Sequence, residues 1–405
     1  MKRNGLLALA CLLATPAVLL PEAVRAECLP PFTETIGADP DPSLVLAQGP
    51  APIAVRLAGP FDVPWSTAPL PDGSFLVSER PGRLKLVRPG TETQKIFGVP
   101  PVYYSGHGGL LDLAIDPDFD NNRLIYFSYL QGDEESSILR VMRARLDAAR
   151  NSLTEQTIIF EGARSAKPEM LGARLALSAD GYLFLSNGDR WDANRAQDLS
   201  DSIGAVIRIR TDGTVPDDNP FRFREGVRPE IWSYGHRNPQ GLALDHVTGE
   251  LWSTEHGPQG GDELNHVFRA RNYGWPLATF GVEYTGRPAG VNSHQPGTEQ
   301  PFHYWVPISI APSGLAVETH GDETTIWMGS LAGERLLQLT VAGDCLVREQ
   351  HHFKNQLGRI RDVRVDNGVV YFLTDGGQGM LYKLDRNLGV ADPDAMDQDL
   401  SAKVP

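Results

Sequence analysis

The chain has 405 residues, with 37 Lys and Arg against 51 Asp and Glu, and a formal net charge of −14. No dense basic block breaks that acidity, which argues against a nucleic-acid partner, since phosphate binding rests on clustered positive charge. With 41 Gly, 31 Pro and 41% hydrophobic residues, the composition is that of a turn-rich globular protein, neither disordered nor fibrous.

Residues 1–26 read as an export signal. Lys2 and Arg3 precede an apolar stretch from Leu6 to Leu20 that Pro16 interrupts, and Val24-Arg25-Ala26 offers a cleavage point before Glu27. That stretch is too short and too broken for a spanning helix, and no other membrane segment follows. The expected location is periplasmic or secreted. Removing Cys11 with the signal leaves Cys28 and Cys345, an even pair in an oxidising compartment. A disulfide between them would anchor the new N-terminus; two free thiols are the alternative.

From there one pattern recurs: an apolar approach, a turn rich in Asp, Gly or Asn, then a strand of β-branched and aromatic residues. It appears at Ala68–Val87, Leu110–Leu130, Arg174–Gly188, Gly241–His256, Gly314–Leu339 and Ile360–Leu384. Six units of roughly 63 residues predict an all-β fold, a six-bladed β-propeller forming one domain over 27–391. A β-sandwich competes, but its irregular strand order does not produce six copies of one pattern. The strand at Ile53–Leu57 is free to complete the last blade and close the ring, which removes exposed edges. An acidic tail, 392–405, is expected to be mobile.

Function on such a ring belongs to loops at one mouth of the central channel. Ser105–Gly109, Glu169–Arg174, Ser233–Gly241 and Gly358–Asp362 lead into predicted inner strands, and Glu255–Glu263 leaves one. Arg237, Arg359 and Arg361 are three cations at equivalent places, suited to carboxylate groups of a shared anionic ligand; pairing with structural acids such as Asp362 is the alternative. Gly257-Pro258 followed by Asp262-Glu263 brings carbonyl and carboxylate oxygens together, as calcium prefers. Asp116-x-Asp118-x-Asp120 lacks the Gly and Glu of a helical calcium loop and reads as a solvated turn. A Gly-x-Ser-x-Gly elbow and a dinucleotide fingerprint are both absent.

At these loops the sequence resembles the soluble quinoprotein sugar dehydrogenases, which bind pyrroloquinoline quinone (PQQ) on a six-bladed propeller. The resemblance runs from about Ala51 to Asp385. It is carried by Gly108-Gly109-Leu110-Leu111-Asp112, Tyr234–Gly241, Gly257–Asn265, Asn272-Tyr273-Gly274-Trp275-Pro276 and Arg359-x-Arg361-Asp362. Gly297-Thr298-Glu299-Gln300-Pro301 is similar to the compact aldose dehydrogenase branch. The resemblance implies that Arg237, Asn238, Arg359 and Arg361 contact the quinone. It implies a calcium on the Gly257 and Pro258 carbonyls and a second, structural calcium near Glu263 and the Tyr273 carbonyl. The implied reaction is hydride transfer from the anomeric carbon of an aldose, or a related alcohol, to the quinone, with electrons passing on to an acceptor the sequence does not name.

Three positions depart from that family. Met170 stands where the family places its proton-accepting His, His107 replaces a Gln, and Ala332 replaces a Lys. One expectation is that His107 takes over as base and Met170 packs against cofactor or substrate. Another is a catalytically impaired homologue that binds PQQ or another small ligand. A hydrolytic, lactonase-like propeller would need a calcium cage of Glu, Asn and Asp side chains that the sequence does not present. His236 and His256 read as structural.

Overall fold

The computed structural model describes residues 28, 32–33, 52–287, 289–290 and 292–386. The predicted signal, 1–26, and the predicted tail, 392–405, lie outside them. Six antiparallel sheets form a ring, the six-bladed propeller that the repeats predict. Its inner strands are Pro64–Pro69, Leu110–Ile115, Gly172–Leu177, Pro239–Leu244, Pro312–His320 and Ile360–Asp366. We number the blades one to six in that order. Among the described residues, helix is confined to Phe119–Asn122 and a 3₁₀ turn at Ala193–Gln197.

Closure follows expectation and runs four residues further. Ile53–Phe61 pairs with Gly379–Asp385, so the first long strand completes the last blade. Cys28 is bridged to Cys345 with Cα atoms 4.9 Å apart, across a separation of 317 residues. Phe32–Thr33 adds a fifth strand, parallel to His303–Val306, at the rim of blade four. The Asp116–Asn122 segment is a self-satisfied turn: the Asp116 carboxylate accepts from the Asp118 amide, Asn122 and the Tyr126 hydroxyl.

Apolar faces pack between neighbouring blades. The largest cluster joins Trp65, Leu111, Tyr126, Leu175, Leu185 and Ile207. What remains unsatisfied by that packing is the inner edge of each sheet, where N–H and C=O groups face the channel without a partner strand. Four side chains, three of them buried and Arg364 partly so, meet this need. Asp112 accepts from the Leu175 amide at 2.7 Å and Asp362 from the Thr67 amide at 2.8 Å. Arg174 donates to the Gln240 and Arg361 carbonyls at 2.7 and 2.8 Å, and Arg364 donates to the Thr67 carbonyl at 3.1 Å. The same charges neutralise one another: Arg174 lies 2.6 Å from Asp362 and 3.3 Å from Asp112, and Arg364 bridges both acids.

Every blade takes part in this hub. Trp65 of blade one stacks 3.9 Å from the Arg174 guanidinium carbon. Blade five contributes an absence: a Cβ on Gly314 would come within 2.5 Å of Asp362 Oδ1, so glycine makes room for the charges. Burial acts to raise the Asp112 pKa, but Arg364 and Arg174 outweigh it and hold the carboxyl below its usual range. Below the hub the channel opens into a cavity of about 270 Å³ with Ala114, Ala176, Ala243 and Ala316 in its walls.

Breaking one partner of a buried ion network leaves a charge uncompensated. Asp112→Asn is therefore expected to lower unfolding free energy by about 3–5 kcal/mol, and Gly314→Ala by about 1–3 kcal/mol through overpacking, both read by denaturant titration. Because the folded pKa of Asp112 is depressed, its contribution is present above the ordinary carboxylate pKa and is lost as pH falls through the folded value.

Candidate functional site

On the opposite side of the hub lies a cavity of about 150 Å³, lined by Trp65, Arg80, His107, Asn238, Gln240, His256, Leu331, Arg359 and Arg361 among others. The hub forms its floor, since Arg174 holds the backbone carbonyls of both Gln240 and Arg361.

Arg359 precedes the inner strand of blade six, and Arg361 is that strand's second residue. A β-bulge at Arg361 interrupts the pairing of this strand with Val369–Thr374, and a bulge re-aims the side chain it carries. Arg361 therefore faces the cavity while Asp362 turns into the hub, and the two do not pair. Arg359 and Arg361 instead share one carboxylate, Asp375, at 3.2 and 2.9 Å. Both guanidinium groups pull the Asp375 carboxyl below its usual range against the effect of burial. Arg361 also donates to the Gln240 side chain at 3.2 Å, and Gln240 in turn donates to Asn238 Oδ1 at 3.0 Å, which fixes the Asn238 amide.

Arg237 sits beside the cavity rather than in its lining. Its loop is held from beneath by the buried carboxylate of Glu255, which accepts from the Arg237 and Asn238 amides and lies 3.0 Å from His236 Nδ1. The His236 ring stacks on Tyr273 with centroids 4.6 Å apart, the structural role expected of it. The Arg237 guanidinium donates to the His256 and Gly257 carbonyls at 2.9 and 2.5 Å, between the rings of Trp191 and Trp275.

Met170 is buried, and its backbone, with φ of 51°, has both polar groups engaged. Its amide donates to His107 Nδ1 at 3.1 Å and its carbonyl accepts from the Arg190 amide at 3.3 Å. Loss of water against the cavity wall, with Arg361 and Arg80 nearby, lowers the His107 pKa to about 4. The ring is thus neutral at pH 7, and with Nδ1 accepting, its single proton sits on Nε2. His256 is likewise neutral, with a pKa lowered to about 3 chiefly by burial, and Nε2 lies 2.8 Å from the Pro312 carbonyl. Ala332 is exposed, next to the lining residue Leu331.

Two contributors have no counterpart among the loops the sequence singles out, Arg80 and Asp375, whereas Gln240 lies within Ser233–Gly241. Arg80 donates to the Gly106 and Gly108 carbonyls and so shapes the His107 loop. Arg80 and Asp375 directly follow the second strands of their blades, which run back to the same mouth. A search restricted to segments leading into inner strands passes over them.

The mouth suits a polyanion. Three guanidinium groups line it against one contacting carboxylate, and the buried Nε atoms of Arg361 and Arg237 have no hydrogen-bond partner. Calcium fares differently at its two implied positions. Glu263 is half-buried beside the buried acids Glu255 and Asp262, with the Asn265 amide at 3.0 Å; loss of water and Glu255 push its pKa up to about 8. A carboxylate so starved of positive charge fits a cation, and Tyr273 lines the same small cavity. At the other position, the Gly257 carbonyl is engaged by Arg237. Among the described residues no group of three or more His, Cys, Asp or Glu side chains is arranged around a common metal position.

Fold and site together define a six-bladed propeller with an anion-collecting mouth. The chain belongs to the glucose/sorbosone dehydrogenase family, the soluble PQQ-dependent sugar dehydrogenases, and residues 61–383 match the family description "Glucose / Sorbosone dehydrogenase". It is 38% identical over 355 residues to the aldose sugar dehydrogenase YliI of Escherichia coli, covering 84% of this chain and 95% of that one. The crystal structure of that species' soluble aldose sugar dehydrogenase in its apo form superposes with a TM-score of 0.77 at 36% identity, over 83% of this chain and all of that one. The PQQ-bound aldose sugar dehydrogenase of Streptomyces coelicolor gives 0.69 at 29% identity, over 83% and 99% of the two chains.

The Met170 contact makes a specific prediction for the imidazole. Nitrogen NMR of His107 should show an Nε2-protonated ring that titrates near pH 4; a midpoint near 6.5 or protonation on Nδ1 would contradict this geometry.

Proposed function

We propose that the chain is a PQQ-dependent dehydrogenase that oxidises an aldose, or a related alcohol, at the anomeric carbon, and that it works in the periplasm or outside the cell. The observation that carries this is the pair Arg359 and Arg361 sharing a single carboxylate, beside Arg80, at the mouth of a family propeller. When bound, the quinone supplies the two-electron acceptor for a hydride from the sugar.

The chain's own residues then have separate tasks. Arg359 and Arg361, which share Asp375, would hold the quinone's carboxylates. Asn238, whose side-chain oxygen is held by Gln240, would offer its amide as a directed donor to the bound quinone. Arg237 steadies negative charge that develops beside it. Leu331 and Trp65 form apolar wall that keeps water from the reacting face. Calcium belongs in this reading at Glu263 and Tyr273. A calcium on the Gly257 and Pro258 carbonyls would share the Gly257 oxygen with the Arg237 guanidinium.

His107 divides the proposal. As the base it would have to give up the Met170 amide and turn a bare nitrogen toward the substrate hydroxyl. The Met170 bond favours a second reading, in which the protein binds the quinone tightly but oxidises sugars slowly, with the Nε2–H of His107 acting only as a donor.

Titrating apo protein with PQQ should raise the melting temperature and shift the quinone absorbance. Arg361→Ala should weaken binding about tenfold or more, the loss of a charge-assisted bond. No binding by the wild type would remove the reading. With aldose and an artificial dye, His107→Gln should cut kcat about 100-fold if His107 is the base. An unchanged rate, or a wild type that binds PQQ and reduces no dye, supports the donor role. Added Ca²⁺ should stabilise the wild type and fail to stabilise Glu263→Gln; equal stabilisation of both would move calcium elsewhere.

A further inference from the structure

Past the second strand of blade three, Tyr182–Asn187, the segment Asp189-Arg190-Trp191 emerges at the mouth. Arg190 and Trp191 are successive left-handed residues with φ of 55° and 58°, a conformation that disfavours side chains of this size and persists only where the surroundings enforce it. They are enforced here by buried bonds. The Trp191 amide donates to Asp189 Oδ1 at 2.9 Å, and Asp189 Oδ2 accepts from the Trp275 indole at 2.8 Å. The Asp189 amide donates to the Arg237 carbonyl at 2.7 Å. The Arg190 guanidinium, wholly buried, donates to the Lys167 carbonyl at 2.7 Å and to Ser137 at 2.8 Å.

What this network holds out is an indole that stays 50% exposed. A fixed, half-exposed tryptophan does little for the core. One side of it approaches Arg237, whose guanidinium carbon lies 5.8 Å from the ring centre. Through Arg190 the turn is tied to Met170, and through Met170 to His107. The indole therefore stands beside Arg237, just outside the residues that line the cavity, on a turn bonded to the His107 side of the mouth.

A pyranose ring presents a face of C–H groups with hydroxyls around its rim. An aromatic face matches the C–H groups by dispersion and apolar burial, and guanidinium donors beside it match the hydroxyls. We propose that Trp191 is the platform on which the substrate's sugar ring stacks, and so a residue that selects cyclic sugars over small open-chain alcohols. This rests on the sugar-dehydrogenase reading above and assigns the substrate side of the same mouth.

The test uses full-length protein loaded with PQQ and a non-oxidisable aldose analogue lacking the anomeric hydroxyl, so that sugar binding is read by calorimetry without turnover. Trp191→Ala should weaken analogue binding and raise the aldose KM by about tenfold, leaving kcat within about threefold and PQQ affinity unchanged. Trp191→Phe, which keeps an aromatic face, should recover most of the loss. Unaltered analogue binding in Trp191→Ala overturns the proposal. So does a parallel fall in PQQ affinity, which would make Trp191 a cover for Arg237 only. A wild type that binds the analogue through Trp191 but reduces no dye would refute sugar oxidation and leave the platform standing. A wild type that binds no analogue overturns the platform.

Discussion

The ring depends on four charges clustered where its six inner edges meet. Ring closure covers the faces of the first and last blades, but the inner strands still face one another across a channel too wide for backbone pairing. Asp112, Arg174, Asp362 and Arg364 span that gap, each supplying the donor or acceptor that a neighbouring strand would otherwise lack. A cluster of two acids and two guanidinium groups is neutral overall, and for that reason it can stay out of water.

The same cluster sets the floor of the mouth. Arg174 grips the carbonyls of Gln240 and Arg361, whose side chains project upward and meet each other in the cavity. Position in the ring and chemistry of the site are therefore coupled through one guanidinium. Above it the electrostatics change character. The hub balances its charges, whereas the mouth leaves guanidinium groups in excess.

The blades are legible in the sequence because each repeats the same approach, turn and strand, and because Ile53 onward has no partner except the last blade. The guanidinium groups are legible too, since Arg is unusual in segments that lead into buried strands. The hub is not. Its members come from blades two, three and six, and Asp362 reads naturally as the partner of its neighbour Arg361. A β-bulge at Arg361 separates those two side chains, and the acid that serves Arg361 is Asp375, a residue further along the same blade. Met170 was recognisable as the loss of a base, but its contribution is made by its amide, which no side-chain pattern reveals. The exposed indole of Trp191 carried no signal in a loop without repeats, and only the bonds around Asp189 mark it.

The coupling of hub to mouth is tested most directly by the PQQ affinity of Arg174→Lys, a variant that keeps the charge and removes the forked contact to the Gln240 and Arg361 carbonyls. Arg174 does not line the cavity. If the hub aims the mouth, the folded variant should bind PQQ about tenfold or more weakly, as expected when charge-assisted contacts are misplaced. A folded Arg174→Lys protein with wild-type PQQ affinity would show that Arg361 and Gln240 hold their places without it, and would contradict the account.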